Sequence, residues 1–217
     1  MNLRTSLLLG IDIQNDFCPG GALAVTDGDG VVEPFNLLSA AFAAAGGRVA
    51  LSQDWHPEGH ISFASSHPGK NSGDIITLNK SAEQVLWPDH CVQGLSGADF
   101  HSALILGPVS LIVRKGFHNG LDSYSAFFEN DRKTPTGLEG WMRCLETDTV
   151  IIGGLATDYC VFYSAMDAQK LGFKTIVLSD AIRGVGYPEG SVEKAIGEMK
   201  NAGIVFIDSE SLLKEIL

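Results

Sequence analysis

Six short apolar runs recur along the chain: SLLLGID (6–12), RVALSQD (48–54), VSLIVRK (109–115), DTVIIGG (148–154), KTIVLSD (174–180) and GIVFID (203–208). Each is rich in β-branched residues and shows little alternation of apolar with polar. That is the pattern of strands buried on both faces of a parallel sheet. Between several of them the period lengthens to that of a helix. VVEPFNLLSAAFAAA is closed by Gly46 and Gly47, the stretch from Thr157 to Leu171 by Gly172, and SVEKAIGEMKNA by Gly203. A glycine just past the last helical turn is a stop signal, so these three stretches are predicted to be the crossover helices. Strands alternating with helices predict an α/β domain. The interval 55–108 follows neither period and carries Trp, His, Pro, Gly and Ser. A loop of that length in a compact domain is expected to have a task.

Composition narrows the picture. A chain of 217 residues, 45% hydrophobic, suits one domain over residues 1–217 with a sizeable core. The net charge of −11, without a cluster of Lys and Arg, argues against a nucleic-acid or anionic-membrane partner and in favour of a small or neutral substrate. The opening MNLRTSLLLGID is cut by Asp12 before it reaches the length of a signal-peptide core, and no run is long enough to span a membrane. Cys18, Cys91, Cys144 and Cys160 form no CxxC pair, so neither a disulfide framework nor a thiolate zinc site is suggested. The expectation is a reduced, cytoplasmic protein; a homo-oligomer is compatible with the chain. TDGDGVV and RGVGYPEG lack phosphate-loop spacing and read as turns.

Polar residues at the ends of the predicted strands carry the chemistry. In open parallel sheets ligands bind beyond the carboxyl ends of the strands, and Asp12, Asp54, Lys115 and the GGLATDYC turn all fall there. Any one of them alone is an ordinary turn or cap residue; together they converge on one edge. Cys160 falls in the first turn of a helix expected to begin near Thr157 or Asp158, where free N–H groups and the positive helix end favour thiolate. With a carboxylate to take its proton and an ammonium to hold that carboxylate, Cys160 reads as a nucleophile rather than a small buried hydrophobe.

The stretches DIQNDFCPGG, QDWHPEGHISF, WPDHC, KGFHNGLDSYSAF and GGLATDYCV, in that order along nearly the whole chain, resemble the motifs of the nicotinamidase (pyrazinamidase) branch of the isochorismatase-like cysteine hydrolases. The resemblance implies a six-stranded parallel sheet flanked by helices and a triad of Asp12, Lys115 and Cys160. It implies an amidase that converts nicotinamide to nicotinate and ammonia through a thioester, accepts pyrazinamide and serves NAD salvage. Ala156 and Cys160 would offer their backbone N–H groups as the oxyanion hole, with a cis peptide between Leu155 and Ala156. Phe17 and Trp87 match the aromatic walls around a flat ring.

The resemblance also implies a divalent metal. In an extended segment residues i and i+2 point the same way, so Asp54 and His56 would be presented together, with Trp55 on the other side. His90 matches the third ligand, and His60 a position that some members use as a fourth. Mixed oxygen and nitrogen donors suit Zn²⁺, Fe²⁺ or Mn²⁺. Two other readings stand beside this one. Another hydrolase of the superfamily, an isochorismatase-type enzyme or an N-carbamoyl amidase, would keep the triad without needing DWHPEGH or WPDHC. A metal-binding or thiol-sensing module would need no intact triad.

Overall fold

A computed structural model of the chain describes residues 1–78 and 82–216. Among the described residues eight strands and five α-helices follow one another: β1 (Ser6–Ile11), α1 (Val32–Ala44), β2 (Arg48–Asp54), β3 (Ile75–Leu78), β4 (Ala82–Val85), β5 (Val109–Lys115), α2 (Leu138–Cys144), β6 (Thr149–Leu155), α3 (Phe162–Lys170), β7 (Lys174–Arg183), α4 (Ser191–Asn201), β8 (Val205–Ile207) and α5 (Ser209–Ile216). All six predicted strands form one sheet, ordered β5-β2-β1-β6-β7-β8, every neighbouring pair parallel.

Why these segments are strands is visible in where their side chains go. Along β1, Leu8 joins Phe35, Leu38 and Phe42 of α1 on one face, with Leu212 of α5. Leu7, Leu9 and Ile11 point the other way, into a second core with Met142 of α2, Ala165 of α3 and Met199 of α4. Both faces are therefore covered, and each fully buried large aliphatic side chain stabilises the sheet by about 1.5–3 kcal/mol. Burial on both faces fails at the margins. In β5 the side chains of Ser110, Ile112 and Arg114 are exposed, and in β8 Val205 is exposed. These are the two edge strands, where helical cover runs out.

Four elements, α2, α5, β3 and β4, have no counterpart in the sequence reading. Helices α2 and α5 are only 7 and 8 residues long, too short for their period to declare itself. The antiparallel pair β3–β4 lies within the interval 55–108, whose residues 79–81 are outside the described part. The predicted helix 157–171 is composite: a π-turn over Thr157–Val161 leads into α3.

Counted in chain order, the sheet strands run 3-2-1-4-5-6, so the winding reverses between β1 and β6. A crevice opens there beyond the carboxyl ends, because the two connections leave in opposite directions. The two strands approach closely at that point. Gly154 has φ +121°, and a Cβ on it would lie 2.1 Å from the Ile11 carbonyl oxygen, so only glycine fits.

Candidate active site

At the mouth of this crevice the four strand-end features of the sequence meet. Asp12 follows β1 in a left-handed conformation, φ 47°, and is buried. Ser52 of β2 donates from Oγ to Asp12 Oδ1 at 2.6 Å, holding the carboxylate in place. Lys115, the last residue of β5, has no solvent exposure; its Nζ lies 2.8 Å from Asp12 Oδ2 and donates to Asp54 Oδ1 (2.6 Å) and the Ser123 carbonyl (2.8 Å). The same Nζ is 3.5 Å from Cys160 Sγ. The Asp12 and Asp54 carboxylates and the Cys160 sulfur all come within 4.8 Å of one another. Asp12 Oδ2 has no aligned hydrogen-bond donor among the described residues, its contact with Lys115 being one of charge rather than direction.

The electrostatics follow from burial and this one ammonium. Burial works against the charged form of Lys115, but Asp12 and Asp54 outweigh it and hold the lysine well above its ordinary range. Burial also works against the Asp54 carboxylate, yet Lys115 and then His56 hold it well below the usual range. At Asp12 burial wins over Lys115, with Asp54 adding to it, and the carboxyl is raised. Burial pushes the Cys160 thiol well up, and although Lys115 pulls it down, Asp12 and Asp54 push it further. Desolvation between two carboxylates thus works against the pull of the helix start and favours the thiol, which has a proton to give.

A second cluster adjoins the first. Asp54, His56 and His90 offer ligand atoms within 4.8 Å of one another, all three buried, while Trp55 between the first two turns away to lie under the Arg114 guanidinium, 3.9 Å from its centroid. His56 Nδ1 is 2.8 Å from the Gly116 carbonyl and His90 Nδ1 is 2.8 Å from the Pro88 carbonyl. A carbonyl only accepts, so each Nδ1 carries the hydrogen, and the neutral ring offers a lone pair at Nε2; at His56 burial works against the charged ring, but the Asp54 carboxylate outweighs it and raises the group, so a cation bound there would displace a proton. Burial and the neighbouring His56 push His90 down to about 4, which favours its neutral form. Asp54 Oδ1 is committed to Lys115, leaving Oδ2, 3.6 Å from His56 Nε2. One oxygen and two ring nitrogens, buried and convergent, fit a divalent cation. Gly116 lets the His56 ring close in, since a Cβ there would lie 2.5 Å from His56 Cε1.

His60 stacks on His56 at 4.3 Å but engages both of its own nitrogens. Nε2 faces the carbonyls of His118 (3.2 Å) and Leu121 (3.3 Å), and Nδ1 faces Ser62 Oγ at 2.8 Å.

Above these clusters lies a small, mostly apolar pocket lined by Phe17, Trp87, His90, Ala156 and Cys160, which brings both aromatic candidates beside the thiol. Phe17 meets His90 edge-on at 5.6 Å. Trp87 meets Tyr159 edge-on at 5.0 Å and donates from Nε1 to the Tyr124 hydroxyl at 3.2 Å. The Leu155–Ala156 peptide is cis; Ala156 precedes the π-turn Thr157–Val161, Cys160 lies within it, and both line the pocket. Tyr124, Tyr159 and Val185 also line the pocket and were not singled out in the sequence. Neither was Gln14, whose amide accepts from Asp54 N–H and donates to the Asp54 carbonyl, both at 2.8 Å. Their signal is weak because an isolated Tyr, Val or Gln in a loop has many ordinary uses.

A family profile described as the isochorismatase domain matches residues 6–211. Among curated relatives, the nicotinamidase of Acinetobacter baylyi is 46% identical over 206 residues, covering 95% of this chain and 94% of the relative. Among solved structures, a nicotinamidase/pyrazinamidase of Acinetobacter baumanii superposes with a TM-score of 0.92 at 47% identity, covering 98% of this chain and all of the other. A pyrazinamidase of Pyrococcus horikoshii in complex with zinc superposes with a TM-score of 0.76 at 34% identity, covering 94% and 99%.

Proposed function

The chain belongs to the isochorismatase family, and from that premise we propose that it is a nicotinamidase, hydrolysing nicotinamide to nicotinate and ammonia, accepting pyrazinamide, and serving NAD salvage. The observation that supports the mechanism is the buried Asp12 carboxylate, with no aligned donor to its Oδ2 among the described residues, beside the buried Cys160 sulfur.

Asp12 takes the proton of Cys160 as the sulfur forms its bond to the amide carbon. The carbonyl oxygen becomes an oxyanion, met by the N–H groups of Ala156 and Cys160. Asp12 then returns the proton to the nitrogen, the C–N bond breaks, ammonia leaves and a thioester remains. Water next gives its proton to Asp12 as its oxygen adds to the thioester carbon. The C–S bond breaks, the sulfur recovers its proton from Asp12, and the nicotinic acid formed ionises to nicotinate, its proton passing to solvent. Lys115 keeps its charge throughout, donating to Asp54 and holding Asp12 by charge, while Ser52 orients the Asp12 carboxylate.

Asp54, His56 and His90 are the residues that would hold a divalent metal, and their donor set admits zinc, iron or manganese. Bound there, the metal supplies a Lewis acid able to hold the pyridine nitrogen. Phe17 and Trp87 flank the ring, which directs the amide toward Cys160. His60, with both nitrogens engaged, fastens the loop that follows β5.

The direct test is ammonia release from nicotinamide by purified protein, before and after chelation. Release that is lost on chelation and recovers with added metal is expected. No release from the metal-replete protein would overturn the reading.

A further inference from the structure

Asp158 precedes the nucleophile by two residues, yet its carboxylate faces away from the triad, toward the chain between β7 and α4. It is buried and accepts three hydrogen bonds: Val185 N–H to Oδ1 at 2.9 Å, Gly186 N–H to Oδ2 at 2.9 Å, and Ser191 Oγ–H to Oδ2 at 2.5 Å. These donors span the RGVGYPEG stretch that the sequence offers only as a turn. Residues 186–190 are exposed, so little packing fixes the segment. Charge-assisted bonds to a carboxylate are strong enough to do so.

The tethering continues across the pocket mouth. Tyr159 donates its hydroxyl to the Tyr187 carbonyl at 2.6 Å, and the Tyr187 hydroxyl reaches the Gly73 carbonyl at 3.3 Å. Gly73 N–H in turn donates to the Leu86 carbonyl at 2.8 Å, next to Trp87. The segment thus connects the turn bearing Cys160 to the wall bearing Trp87, and Val185 at its start lines the same pocket.

We propose that Asp158 is a positioning residue: its carboxylate fastens residues 184–191 as a strap over the pocket and seats Val185 against the substrate ring. This rests on the nicotinamidase reading. The strap touches neither Asp12 nor Lys115, so its loss loosens substrate binding and opens access to the thiol while leaving the proton transfers in place.

The test measures kcat and KM for nicotinamide on the full-length, metal-loaded wild type and on Asp158→Asn, Asp158→Ala, Ser191→Ala and Tyr159→Phe. A second measurement is the rate at which iodoacetamide alkylates Cys160, with and without nicotinate. Ser191→Ala and Tyr159→Phe each remove one tether and are expected to raise KM about fivefold, the equivalent of one ordinary hydrogen bond. Asp158→Asn keeps an acceptor for Val185 and should raise KM at least tenfold, and Asp158→Ala further still, with kcat within about threefold throughout. Alkylation should accelerate in the same order and be slowed less by nicotinate. A purely structural Asp158 would instead lower the thermal midpoint or kcat and leave KM unmoved, which overturns the proposal. If Asp158→Ala does not fold, the two single-tether variants decide by the same criterion. A wild type that releases no ammonia from nicotinamide sinks the functional reading; the strap then stands or falls on the alkylation rates, and unchanged rates overturn it.

Discussion

At the scale of single residues, the feature that organises the site is a lysine with no solvent contact. An isolated buried ammonium would be untenable, and Lys115 is tolerated because Asp12, Asp54 and the Ser123 carbonyl surround it. The same arrangement leaves Asp12 Oδ2 as the natural destination for the Cys160 proton. Cys160→Ala should therefore abolish ammonia release, while Cys144→Ala, on an exposed position, should retain it; persistence of turnover without the Cys160 sulfur rules out the covalent route. Asp12→Asn keeps the shape but loses the proton shuttle. Its kcat should fall at least about 10²-fold, the usual worth of general acid–base help, and a merely twofold loss removes Asp12 from the chemistry. The three residues of the proposed triad were legible because each ends or follows a strand. Ser52 and Gln14 were not: they act on Asp12 and Asp54 across neighbouring strands, and only the pairing register, Gly10 beside Leu51, reveals who faces whom.

At the scale of elements, the sheet strands announced themselves as short apolar runs and the long helices through their period, while the short α2, α5 and β3–β4 pair did not. The aperiodic interval 55–108 carries four of the candidate site residues, His56, His60, Trp87 and His90, where no repeating pattern could place them. Its task in the proposed reaction is to orient the ring, since Cys160 already has its own base and its own candidate oxyanion donors. Benzamide has the same amide without a ring nitrogen, so it should be a poor substrate with or without metal. Equal turnover of benzamide and nicotinamide by the metal-loaded protein would remove Asp54, His56 and His90 from substrate binding. The switch point makes its own demand. Gly154→Ala puts a methyl group into the Ile11 carbonyl at a backbone conformation alanine rarely adopts, and should destabilise the protein by several kcal/mol, as the largest single substitutions do. A denaturation midpoint equal to wild type would show that β1 and β6 can part there without consequence.

At the scale of the whole molecule, the question is how far the fold depends on the metal its donors invite. The two hydrophobic cores are built on the sheet and its five helices, whereas the candidate ligands come from the end of β2 and the loop beyond it. The cores reach the ligand cluster only at the margin of one of them, through Phe17, Cys91 and Trp55, so the apo protein should remain folded, unlike a small zinc domain that has no core without its ion. A metal that binds only the native state still adds stability by mass action, about 2.7 kcal/mol at a free concentration 100 times its dissociation constant. For a chain of this size each kcal/mol moves the thermal midpoint by about 2–4 °C, so chelation should lower it by roughly 5–10 °C while the transition stays cooperative. Asp54→Ala should abolish the difference between metal-loaded and chelated samples. A midpoint indifferent to chelation in the wild type would mean that no metal is held at Asp54, His56 and His90. Loss of the transition altogether would mean that the sheet, despite its two covered faces, cannot stand without the ion.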